Sequence, residues 1–372
     1  MQKKIIALAV AGLVSGAAFA QTNVTIYGAA DVTFDNVKAT GDSTTATPAQ
    51  NGNLSSRNRV SSNSSFLGFK GTEDLGNGLK AVFQFEGGVG HDSGGGYSFN
   101  RDSFVGLAGG FGTVAAGTLT GPTRALGAAM EPFAGSTGIT ANIGLIGKMG
   151  GDTGTTTAIS LFDTRWNNAI AYTSPNFGGL TATAAYVANE NKTRDGLDGL
   201  AGELDTSGYD IGLRYAVGPI MAGLTRNQVK IGDINNSKLT DTRAALRYNF
   251  GAGTVGLLFD RVKAKDNTGS ETRNAWFIPV TFNVTPAGKI VAQYGKASDI
   301  SGAGNGNTGA KMFALGYEHS LSKRTVVKAV WSQINNESDA RYDFGINNVG
   351  PATGLAGGAD PKGFQVGVRH TF

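Results

Sequence analysis

Three histidines, His91, His319 and His370, are the only imidazoles available for proton transfer, and the chain has no cysteine. No GxSxG elbow or HExxH pair accompanies them, so few nucleophile–base arrangements are possible. The glycine-rich stretches 87–96 and 301–309 lack the GxxxxGK[ST] spacing that cradles a phosphate. Without thiols there is no disulfide and no Cys-based metal centre. What remains is fixed charge. The interval 120–163, rich in Gly, Ala and Thr, carries Arg124, Glu131, Lys148 and Asp152, with Arg101 before it and Arg165 after it. It is the longest stretch without regular alternation, and a connection of that length is expected to be functional. Two readings fit: an insert folded into a pore, or an exterior loop.

The elements around that interval decide between them. Residues 1–20 read as an export leader: Lys3 and Lys4, an apolar run from 5 to 16, then the small-x-small site Ala18-Phe19-Ala20. The expected mature chain, 21–372, loses two lysines and no acid, which takes the formal charge from +4 to about +2. That is too small to argue for a nucleic-acid partner. Mean hydropathy is −0.12 and no later run is long and apolar enough for a membrane helix. The 57 glycines suit tight turns and close strand packing.

Alternation with a period of two runs through the chain. Val24, Ile26, Gly28, Ala30, Val32 and Phe34 share one face, and Thr25, Tyr27, Asp31, Thr33 and Asp35 the other. Leu79, Ala81, Phe83 and Phe85 oppose Lys80, Val82, Gln84 and Glu86; Trp166, Ile170 and Tyr172 oppose Arg165, Asn167, Ala169 and Ala171. A soluble sandwich would show the same pattern. Aromatics near strand ends (Trp166, Tyr172, Tyr248, Phe250, Trp331, Phe372) and the connection lengths favour a membrane barrel. Tight turns at 73–78, 109–112, 174–179, 217–219, 249–253, 285–289 and 321–324 alternate with longer polar links such as 38–58, 189–206 and 335–362. The reading is all-β: sixteen antiparallel strands in a transmembrane barrel, wide enough for a water channel. Pro279 falls inside a strand, where a bulge or an early strand end is expected.

The segments 68–86 (GFKGTEDLGNGLKAVFQFE), 99–117 (FNRDSFVGLAGGFGTVAAG), 171–179 (AYTSPNFGG), 321–325 (LSKRT) and 366–372 (VGVRHTF) carry a resemblance. Together and in this order, they resemble the trimeric general porins of beta-proteobacterial outer membranes, the neisserial and Burkholderia-type proteins. The resemblance implies an outer-membrane location, a homotrimer of sixteen-stranded barrels, and a third external loop folded inward as a charged eyelet. That loop corresponds to 120–163. It implies wall arginines at Arg101 and Arg165, facing a carboxylate on the loop, for which Glu131 is the candidate. Two arginines usual in the family are absent, with Phe66 and Thr118 in their places. Arg57, Arg59, Lys70 and Arg124 are left to compensate, and Lys70 and Arg124 are counted with the constriction.

Opposed charges across a narrow wet gap would sort ions and small hydrophilic solutes by charge and orientation. No cofactor and no metal is called for. Lipopolysaccharide and outer-membrane lipid are the expected surroundings. Phe372 resembles the terminal signal read by the outer-membrane assembly machinery, besides serving as a girdle residue. Two other readings remain: a plugged structural anchor, and a substrate-specific channel of the same architecture for small organic anions or aromatic solutes, with Phe66 and Tyr27 on its track.

Overall fold

The structure, a computed structural model, describes residues 23–41, 53–95, 97–135, 138–149, 162–188, 207–231, 237–302, 306–350 and 354–372. The leader expected at 1–20, Asp152 and the link 189–206 lie outside the described residues. The first strands are β1 (Asn23–Thr40), β2 (Leu54–Ser62), β3 (Phe66–Gly76), β4 (Leu79–Gly88), β5 (Ser103–Gly109) and β6 (Gly112–Thr120). Among the described residues one α-helix, α1 (Pro122–Ala129), precedes β7 (Arg165–Thr173), β8 (Leu180–Val187), β9 (Ser207–Val217), β10 (Ile220–Ile231), β11 (Ser237–Asn249) and β12 (Gly253–Lys265). The last are β13 (Ser270–Asn283), β14 (Gly288–Ala297), β15 (Ala310–Ser320), β16 (Thr325–Asn336) and β17 (Asp360–Thr371).

Both β2 and β3 pair with β1, at residues 32–39 and 23–29 of that strand, so they are one wall strand interrupted at 63–65. The seventeen segments thus build sixteen barrel strands, each antiparallel to its neighbours. The register of β1 with β17, from Ala29↔Thr371 to Thr40↔Asp360, closes the sheet. Closure leaves no unpaired edge, which is what a sheet needs to sit in hydrocarbon.

The period-two pattern becomes two faces. On β12, Val255, Leu257 and Phe259 point outward and are exposed, while Leu258, Asp260 and Val262 are buried inside. At the tight-turn end Asn77 and Gly78 both take positive φ (51° and 78°), the backbone that a two-residue hairpin demands and that Asn-Gly supplies cheaply. Pro279 produces neither expected irregularity. Strand β13 runs through it, with Gln293 opposite on β14, and the β12–β13 register holds from Gly253↔Phe282 to Lys265↔Ser270. Only the pairs at Gly256 and Leu257 drop out of the ladder. Glycine removes the obstacle: a Cβ at position 256 would lie 3.1 Å from the Pro279 ring.

The described part of 120–163 is tied to the inner wall step by step. Pro122 opens α1, and the extended Gly121 before it offers no side-chain cap. Asp210 of β9 does that work instead, accepting from Thr123 N at 3.0 Å and Thr123 Oγ1 at 2.6 Å. Gly212 and Gly223 stand where the helix touches the wall; a Cβ would come within 2.6 Å of Pro122 and 2.4 Å of Leu126. Further on, Arg247 donates to Ala129 O (2.7 Å), Ala134 N to Glu318 (2.7 Å), and Gly147 N to Asp260 (3.2 Å). Met130, Ile139, Leu145 and Ile146 pack against the wall residues Leu258, Phe277, Met312 and Ile334. Tyr342, Phe344, Val349 and Leu355, from the link between β16 and β17, complete this apolar cluster. Each such burial contributes about 1.5–3 kcal/mol. An interior core of this size fastens two long connections without any disulfide.

Candidate functional site

Four stretches of the near wall bring their charges together. Arg101 follows the link after β4; its Nε donates to Glu86 Oε1, and its guanidinium sits 4.6 Å from the centroid of the Phe66 ring. Arg165, the first residue of β7, donates from Nε to Asp102 Oδ2 at 2.6 Å and reaches Glu86 Oε1 at 3.8 Å. Asp102 is fixed in turn by Thr120, whose N and Oγ1 donate at 2.7 and 3.0 Å. Tyr27 OH donates to Glu86 Oε2 at 3.0 Å, and Lys70 Nζ lies 4.9 Å from the Tyr27 ring centroid. Lys70 is exposed, and the Arg101 and Arg165 side chains keep 19% and 14% of their surface. Each of these side chains therefore keeps part of its surface open to solvent.

Arg124, on α1, feels the charges of Arg165, Asp163, Arg101 and Asp102. Burial, then the neighbouring Arg165 cation, hold its pKa down at about 10, so it remains protonated at neutral pH. The structure therefore brings together four of the five expected constriction residues, Lys70, Arg101, Arg124 and Arg165. Against their four positive charges stand the carboxylates of Glu86 and Asp102, leaving an excess of two in this patch, while Asp163, which Arg124 also feels, is engaged by Arg243.

Glu131 is placed differently from the expectation. Its Oε1 accepts the Asn142 amide within the same segment, and its Oε2 is buried with no hydrogen-bond partner. Burial pushes its pKa up to about 8, against the pull of that amide. At neutral pH it is mostly protonated and gives the lumen little charge. Glu131→Gln is accordingly expected to leave the zero-current potential in a salt gradient unchanged at pH 7. A shift approaching that of an arginine variant would return Glu131 to the water-filled side.

The carboxylates that face the arginines are on the same wall as the arginines. Strand parity had already put Glu86 on the polar face, and Asp102 adjoins Arg101 in sequence; neither fact reveals the pairing. Arg57 and Arg59 are drawn elsewhere: Arg57 donates to Val349 O, and Arg59 to Asp35 (3.1 Å), Asn347 O and Asn348 O (2.7 Å). Phe66, standing where an arginine was expected, gives Arg101 a face to lie on. Thr118 donates to Asn167 at 3.1 Å. Phe372 exchanges backbone hydrogen bonds with Gly28 (3.1 and 3.3 Å) beside the barrel seam, and its ring is exposed.

Comparison with known proteins agrees with this architecture. A family model described as Gram-negative porin matches residues 7–339. The chain is 34% identical to "Outer membrane porin protein 32" of Delftia acidovorans, over all of both chains. It is 29% identical to "Major outer membrane protein P.IB" of Neisseria gonorrhoeae, over 91% of this chain and 96% of that one. Among solved structures, the "Anion-selective porin from Comamonas acidovorans" superposes with a TM-score of 0.77 at 28% identity, covering 95% of this chain and all of the other. A trimer form of OmpT from Vibrio cholerae, 14% identical with a TM-score of 0.63, shares the fold. With a closed sheet greasy outside, charged side chains within, and a family model covering most of its length, this chain belongs to the Gram-negative porins and forms a channel in the outer membrane.

Proposed function

We propose that the channel passes ions and small hydrophilic solutes by passive diffusion, with a weak preference for anions. The observation behind this is the wall patch: Lys70, Arg101, Arg124 and Arg165 outnumber Glu86 and Asp102, and both wall arginines retain solvent contact. The described part of 120–163 lies against the inner wall, where Asp210, Arg243, Arg247 and Asp260 hold it, and there it narrows the lumen. Charge in a low-dielectric throat acts over a few ångströms, so a small excess sets a bias without closing the path to the other sign. The pairing of each wall arginine with a carboxylate keeps that bias modest. Nothing in this transport calls for a covalent step, so the chain acts as a channel and not as an enzyme.

The mature protein begins after residue 20 and assembles as a homotrimer, in line with the family and with the trimer form of the OmpT fold relative. Its outer contacts are outer-membrane lipid and lipopolysaccharide. Outward-facing Arg226, Thr242 and Arg261 share one row across β10, β11 and β12, above the apolar Leu224 and Phe259, where the phosphates of a glycolipid would lie. Phe372 serves recognition by the assembly machinery. The zero-current potential of purified protein in a planar bilayer, under a tenfold KCl gradient, tests the central reading. A sign reporting chloride preference supports it, and a cation-selective sign overturns it.

A further inference from the structure

A second lumen feature shares no residue with the arginine patch. Between α1 and the wall is a cleft of about 380 Å³. Ala125, Leu126 and Ala129, on one face of the helix, form its apolar side. Thr183, Arg214 and Thr225 stand across from them. Their orientation follows from register: Thr183 pairs with Gly212 and Gly212 with Thr225, all on the side where Gly212 meets Pro122. Arg214 pairs with Gly223, which meets Leu126, so it too faces the lumen.

Two polar groups in this cleft lack partners. Thr225 is 4% exposed and its hydroxyl has no hydrogen-bond partner. Leaving such a group buried and unpaired is unfavourable. Arg214 is exposed and forms no hydrogen bond or ion pair among the described residues. It brings the one formal charge to the cleft lining. A volume of this order is that of a small-molecule pocket, apolar in the main with a few convergent polar groups.

We propose that this cleft is a solute subsite for small monocarboxylates carrying an apolar body. The carboxylate is held by the Arg214 guanidinium through charge-assisted hydrogen bonds, and the apolar body lies on Ala125 and Ala129. The proposal rests on the channel reading and adds a binding step to diffusion. Such a solute pauses in the lumen, so its flux saturates while that of chloride stays proportional to concentration.

The test uses the full protein in planar bilayers, with 3-phenylpropanoate as probe and acetate and 3-phenylpropylamine as comparisons. Wild type is expected to show saturable, concentration-dependent reduction of the KCl current by 3-phenylpropanoate. Acetate lacks the apolar body and the amine carries the wrong charge, so both should block far less. Arg214→Gln should weaken the block about tenfold. Ala125→Trp, which fills the cleft and leaves Arg214 in place, should remove it. Equal block in wild type and both variants, or a conducting wild type with no saturable block, would overturn the subsite alone. Absence of any conductance would remove the channel reading itself.

Discussion

Replacing Arg101 and Arg165 together with serine is expected to move the anion-to-cation permeability ratio towards cations by about fivefold or more. A unit charge about 4 Å from a permeating ion contributes on the order of 1 kcal/mol even in a water-like dielectric, and more where the walls exclude water. The double variant takes the local balance from four cations against two carboxylates to Lys70 and Arg124 against Glu86 and Asp102, a net charge of zero. The stabilised carboxylates also lose their partners: Glu86 keeps only Tyr27 and Asp102 only Thr120. Both then act on the lumen as free anions. Arg165 alone should carry more than half of the effect, since it touches both carboxylates, while Arg101 touches Glu86. The readout is the zero-current potential under a KCl gradient, repeated at high salt, where screening should compress the difference. An unchanged potential in the double variant would take the wall arginines out of the filter.

The barrel was legible because its signal is local. A period of two is written in adjacent residues, and Val24 to Phe34 or Leu79 to Glu86 show it without knowledge of any partner strand. The break at 63–65 was not legible. There Ser64 takes a φ of 54° while Asn63 and Ser65 hydrogen-bond back to Asp31, a contact across 32–34 residues. Pro279 misled because proline within a strand normally marks an irregularity, and the compensation lies at Gly256 on the neighbouring strand. In the site, residue type and position pointed to Arg101 and Arg165, but nothing local tells which carboxylate each will find. Glu131 stood out as the lone acid of its stretch, yet a loop residue has no parity to fix the side it faces. Its burial is decided by the apolar cluster around Met130 and Leu145, assembled from strands more than a hundred residues away.

That cluster has an ionic counterpart, and its removal should have the largest effect on stability. Arg243 is fully buried between the wall and the inward segment. It donates to both oxygens of Asp163 (2.7 and 2.6 Å), to Asp241 (2.8 Å), to Asp260 (2.9 Å) and to the Thr123 carbonyl (3.1 Å). Asp260 is shared with Arg273 at 2.9 Å, and Arg273 also binds the Lys148 carbonyl at 2.6 Å. One guanidinium therefore clamps both ends of the inward segment, at Thr123 and at Asp163, to the same strand. Arg243→Met would leave the buried carboxylates of Asp163, Asp241 and Asp260 without the guanidinium they share. Breaking a buried ionic group on one side costs about 3–5 kcal/mol. Arg243→Lys should rescue little of this, because a single ammonium cannot reproduce five donors set in a plane. The midpoint of heat or guanidinium unfolding of the detergent-solubilised protein should fall steeply in both variants. Open-channel current noise should rise, because a segment released at both ends can move within the lumen. A lysine variant that matched wild type in both measurements would show that the fork geometry is dispensable, and that the apolar cluster alone holds the constriction in place.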